Sequence, residues 1–178
     1  MKEKIKNNFN LIIFAVTVVS LLLILPGIIG AINNNMTNQM IVTIIGWASF
    51  ITTGALLIYG SVKKNYNNLL FYIFAFLVLG GIVSDVYGIT QGNYNSIYYL
   101  ALDAGLFVLF LLRELKPHKY INLAFYIVFL TFAAITVVPV LGGGIVAFAH
   151  AIQVVTVFVI VLKKDLENEN KKEESENE

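Results

Sequence analysis

The sequence predicts an all-α, polytopic membrane protein: six transmembrane helices in one bundle, with both termini in the cytoplasm. Three observations lead there. Of 178 residues, 58% are hydrophobic and only 13% charged, with a mean hydropathy of +0.78. That is too little charge to cover the surface of a water-soluble domain of this length. The apolar residues fall into six runs, each near the roughly 20 residues that a helix needs to cross the hydrocarbon core. Finally, all twelve lysines and arginines lie between or beyond those runs, and all on one side of a six-helix arrangement.

The runs follow one another with little between them. The first, 9–31, comes after Lys2, Lys4 and Lys6. It is too long for the apolar part of a secretion signal, and Ile29, two residues before Ala31, spoils a small-x-small cleavage site. The polar break NNNMTNQ at 33–39 separates it from 41–62, whose Gly46, Ser49, Thr53 and Gly60 make a small-residue seam for packing within the bundle. KKNYNN at 63–68 then leads into 69–89, and TQGNYNS at 90–96 leads into 97–112. RELKPHK at 113–119 precedes the fifth run, 120–139, and PVLGGG at 139–144 turns the chain into the sixth, 143–162. One domain, 1–162, is therefore expected. The remainder, KKDLENENKKEESENE at 163–178, has no apolar face and is expected to be a disordered, solvated cytoplasmic tail.

Positive residues stay on the cytoplasmic side of membrane proteins. Here the three loops on the other side carry no Lys or Arg, so both ends are assigned to the cytoplasm. The abundance of lysine and asparagine points to a prokaryotic cytoplasmic membrane. With no cysteine, thiolate chemistry and disulfides are excluded. The spread of the basic residues along membrane-adjacent loops gives nucleic acid no binding face. Phosphate-binding glycine loops, zinc-protease helices and nucleophile elbows are also missing.

Within the apolar runs the chemistry rests on Asp85, Asp103 and His150. Each lies four to seven residues inside the outer boundary of its helix, or about 6–10 Å at 1.5 Å per residue. Ionisable groups at such depth normally face the bundle interior and have partners. No basic residue is at hand, so the two aspartates are expected to be protonated, paired with His150, or holding a cation from outside. Tyr99, Phe107 and Phe110 share a stripe with Asp103 and suggest an aromatic-walled pocket, and Gln153 follows His150 by one turn. Substrate-binding residues are thus expected at Asp85, Asp103, His150, Tyr99 and Gln153.

Three functions suit that set. The first is binding or transport of a small cationic or protonatable solute through an outward-facing acidic site. The second is a metal-dependent hydrolase acting on lipid or a lipid-linked substrate, with Asp85, Asp103 and His150 holding a divalent metal. The third is an accessory structural subunit, joined to partner membrane subunits or to further copies of itself. In architecture, six helices in under two hundred residues resembles the substrate-binding components of vitamin uptake systems. The alanine pattern with which those proteins dock their partner is absent from LIIFAVTVVSLLL at 11–23.

Overall fold

The computed structural model describes residues 2–33, 40–138 and 144–176. They form six helices: α1 (Lys2–Asn33), α2 (Met40–Lys63), α3 (Leu70–Thr90), α4 (Ser96–Leu115), α5 (Lys119–Val137) and α6 (Ile145–Glu176). Every one contains a stretch long and apolar enough to cross a membrane. The expected breaks at 33–39 and 139–144 lie almost wholly outside the described residues. Each helix packs on its neighbours in sequence and α6 closes back on α1, giving a ring of six, with α2 also touching α6 across it.

Two local features depart from the bare hydropathy pattern. Pro26 stays inside α1, as proline can in a membrane helix whose neighbours satisfy the freed backbone groups. The end of α3 is set by Gly92, which takes the left-handed backbone (φ +83°). Its N–H donates to the Ile89 carbonyl at 3.0 Å, and the Asn93 N–H donates to the Gly88 carbonyl at 2.9 Å. This paired closure is the usual way a glycine stops a helix.

The charged C-terminal segment is helical, where the sequence suggested a disordered tail from residue 163. Helix α6 runs through it to Glu176. No glycine or proline interrupts the segment, and its lysines and glutamates are good helix formers. The side chains also anchor it. Lys163 lies 3.7 Å from Glu167 one turn on and places its ammonium 3.8 Å from the centre of the Phe9 ring on α1. Lys164 donates to both carboxylate oxygens of Glu114, at 3.0 and 3.1 Å.

The main core occupies the half of the bundle nearest the lysines. Its centre is a set of phenylalanines from three helices: Phe74 on α3, Phe110 on α4, and Phe125 and Phe129 on α5, all buried. Phe74 stacks on Phe110 with centroids 4.2 Å apart and meets Phe129 edge-on at 5.4 Å. Close ring packing of this kind holds the helices together here. Val154, Val157 and Ile160 extend the same cluster along α6. Tyr66, in the turn between α2 and α3, plugs the edge of this core and shares a 2.7 Å hydrogen bond with Ser61. Burial lifts its phenol above the ordinary pKa of 10.0, against the pull of Ser61, so it remains a neutral hydrogen-bonding group.

Beneath the phenylalanines, Arg113 is only 6% exposed, although its sequence context reads as a polar loop. Its guanidinium lies 4.8 Å from the Phe125 centroid and 5.6 Å from that of Tyr126. It donates through Nη2 to Asp165 on α6, and the Tyr126 hydroxyl donates to the other oxygen of the same carboxylate. The Asp165 carboxylate therefore joins α4, α5 and α6.

Arg113→Ala leaves Asp165 without its counter-charge, and the expected loss of stability is about 3 kcal/mol, read as a lower thermal unfolding midpoint in detergent. Arg113→Ala with Asp165→Ala should recover part of that loss. Additive losses would mean that Arg113 acts by its bulk alone.

Candidate functional site

The half of the bundle away from the lysines is packed more loosely. Its apolar cluster is small, built on Ile24, Phe50 and Ala149. Beside it lies a cavity of about 780 Å³ between α1, α2, α3 and α6. Small residues explain its position. A methyl group on Gly80 of α3 would stand 3.3 Å from the Cα of Gly46 on α2, so the two backbones nearly touch there. With Ser49, Ser84 and Gly88 close by, there is too little side-chain volume to fill the space toward α6. Its lining runs from Gln91, Asn93 and Ser96 at the α3–α4 turn, past Trp47, Phe50, Phe76 and Tyr87, to Thr53 and Gln153 nearer the middle of the bundle. From Val42 to Thr53 the α2 wall extends about 16 Å, at 1.5 Å per residue, which is about half of a ~30 Å hydrocarbon core. Among the described residues, none of the wall is Asp, Glu, Lys or Arg.

Asp103 sits behind this wall. It is 6% exposed, and its carboxylate fills the place that a side chain on Gly81 would occupy. Gly81 itself lines the cavity, so one glycine separates the carboxylate from the cavity. Seven residues along each helix, Gly88 receives Ser96 in the same way. Antiparallel α3 and α4 are thus joined by two glycine contacts about 10 Å apart. Asp85, one turn from Gly81 on the same side of α3, is half-buried. Neither aspartate has a hydrogen-bond or ion-pair partner among the described residues.

His150 and Gln153 do line the cavity. The His150 ring lies between Phe50 on α2 and Phe132 on α5, with centroids 6.3 and 6.5 Å away. It makes no ion pair with Asp85 or Asp103 among the described residues. Asp103 packs on Gly81 of α3, while α6 turns His150 toward aromatic rings. Consistent with that, no group of three His, Asp or Glu side chains able to hold a metal occurs among the described residues. The set Asp85, Asp103 and His150 does not fit a metal centre.

Tyr99 is 47% exposed and is absent from the cavity wall. The aromatic pocket expected around Asp103 is replaced by the Gly81 backbone, which comes too near for a ring to fit between. Gln153, 1% exposed, is the polar group at the inner end. Its Nε2 donates to the Phe50 carbonyl at 3.2 Å and to Ser20 Oγ at 3.5 Å, tying α6 to α2 and α1.

Sequence reasoning missed the buried Arg113–Asp165–Tyr126 set and the part played by Trp47 and Thr53. The first has a faint signal, an arginine at helical spacing from Phe110 and Leu106. The second has a clearer one in the small-residue seam of α2, since a seam that packs at Gly46 leaves space one or two turns further on. A comparison of the chain with family models, curated proteins and solved structures finds no match.

Gly81→Ala must displace Asp103 or part α3 from α4, and overpacking of this kind destabilises by about 1–3 kcal/mol. Adding Asp103→Ala makes room for the new methyl group, so the double variant should unfold at a higher temperature than Gly81→Ala alone. Simple additivity would rule out the contact.

Proposed function

We propose that this chain is a multi-pass protein of a prokaryotic cytoplasmic membrane, with both termini cytoplasmic, and that it binds or transports a small cationic or protonatable solute entering from outside. The observation that carries this reading is the cavity, whose lining runs from the end of the bundle opposite the lysines to Gln153 and Thr53. Basic residues mark the cytoplasmic side, so the end at Gln91, Asn93 and Ser96 faces out. A walled, polar-ended cavity of this size is what a small-molecule site requires.

The preference for positive charge follows from what surrounds the cavity. Its wall offers an anion no lysine or arginine. Asp103 and Asp85, just behind Gly81, are carboxyl groups that a bound cation can draw into their charged form, and the low dielectric leaves that attraction little screened. Trp47 and Phe50 add ring faces of the kind that attract organic cations. His150, free of hydrogen bonds among the described residues, is a group with which a bound solute can exchange a proton. At the other end, the phenylalanine core and the Arg113–Asp165 pair support closure toward the cytoplasm, as expected of a site reached from one side at a time.

The absence of cysteine makes orientation simple to test. In intact cells, a membrane-impermeant maleimide should label Asn93→Cys and leave Asn168→Cys unlabelled, and the opposite pattern would put the Asn93 end of the cavity in the cytoplasm. For the activity, proteoliposomes should take up radiolabelled ethanolamine faster than protein-free vesicles, in a manner dependent on a pH gradient. Asp103→Asn should slow that uptake about tenfold, equivalent to ~1.4 kcal/mol of lost charge stabilisation. If ethanolamine and other organic amines neither bind nor accumulate, the solute-binding reading fails and a structural role in a larger complex takes its place.

A further inference from the structure

The inner end of the cavity carries more polar capacity than the protein uses. The Phe50 carbonyl can only accept a hydrogen bond, so the Gln153 amide must turn its NH₂ group toward it. That fixes the amide. The Gln153 Oε1 is then left as a buried acceptor with no partner among the described residues, and Thr53 Oγ1 is left in the same state. Four more buried polar atoms among the described residues share that state, on Asn10, Thr17, Arg113 and Asn122, but none of these residues lines this cavity, and an unpartnered buried polar atom is costly to keep.

The amide is also held firmly. Gly54 leaves space for it, since a methyl group there would come within 2.9 Å of Nε2 and 2.7 Å of Leu21. Ser20 receives its second N–H. Holding three helices together would need only the donor side of Gln153. The acceptor side is surplus to that task, and it belongs to a residue that lines the cavity.

We infer that Gln153 Oε1 and Thr53 Oγ1 are the recognition elements of the cavity and that they accept hydrogen bonds from the N–H groups of a primary ammonium. This rests on the cationic reading above and narrows it. A primary ammonium has three donors and no acceptor, which complements two orphan acceptors at an inner end that carries no anion of its own. Its charge is met by the ring faces of Trp47 and Phe50 and by Asp103 through the gap at Gly81. A quaternary ammonium carries the same charge with no N–H to offer, so the site should reject it.

Trp47 is the sole tryptophan and lines the cavity, so its fluorescence reports binding to the full chain in detergent. The probes are ethanolamine and choline, which differ only in methylation of the nitrogen. The wild-type protein should bind ethanolamine about tenfold or more tightly than choline, the scale of a charge-assisted hydrogen bond. Gln153→Met should remove that preference. Thr53→Val, which keeps the size of the side chain and leaves the Gln153 amide in place, should reduce it, while Ser20→Ala should leave it intact.

Equal binding of the two probes by the wild type would overturn this inference and leave the cationic reading standing. Binding of neither would overturn both. A preference that survives both Gln153→Met and Thr53→Val would also overturn it, as would an equal loss in Ser20→Ala and Gln153→Met, since Gln153 would then act only by joining helices. Should Gln153→Met fail to fold, Thr53→Val alone decides: an unchanged preference overturns the assignment.

Discussion

Helix α3 has glycine on two faces, and the outer half of the bundle depends on that. Gly80 lets α2 come within van der Waals contact of its backbone, and Gly81, the next residue, lets the Asp103 carboxylate of α4 do the same. Adjacent residues on a helix point about 100° apart, so two consecutive glycines serve two different neighbours. Close backbone approach is a principal source of helix affinity in a bilayer, where water exclusion gives nothing. One dipeptide therefore fixes α2, α3 and α4 together. It also sets the thickness of the wall between a buried carboxyl group and the cavity.

The two halves of the bundle are built on different principles. Near the lysines, large rings fill the interior and the Asp165 carboxylate joins three helices through Arg113 and Tyr126. Toward the other end, glycine, serine and threonine replace the rings, so the helices touch at a few points and stand apart between them. Dispersion contacts are numerous in the first region and sparse in the second. Rearrangement of helices is accordingly easier at the end where the cavity lies than at the end where the phenylalanines interlock.

Much of the fold is legible in the sequence, because hydropathy runs and loop charges depend on composition alone. Six helices, each long and apolar enough to span a membrane, lie over the six apolar runs. The ends differ for physical reasons: charged side chains that end an apolar run do not end a helix, as α6 demonstrates by continuing past Lys163. For the candidate site, the sequence offers a level along each helix and no direction. Counting residues from a helix end gives the level of Asp85, Asp103 and His150. Which way each points depends on the rotation of its helix, and that is decided by contacts such as Gly81 with Asp103. Gln153 could be anticipated from its place one turn beyond His150. Arg113 could not, because an arginine beside Glu114 and Lys116 looks solvated until Asp165, fifty-two residues later, comes back to meet it.

Helix α6 carries Gln153 and His150 at the cavity and continues without a glycine or proline to Glu176. The distance from Gln153 to that end is about 35 Å along one rod, at 1.5 Å per residue. An unbroken helix is stiff against twisting. The ion pairs with Glu114 and Arg113 and the contact with Phe9 hold this rod to α4 and α1 between Lys163 and Asp165. The buried amide and the charged segment therefore share one fixed axis.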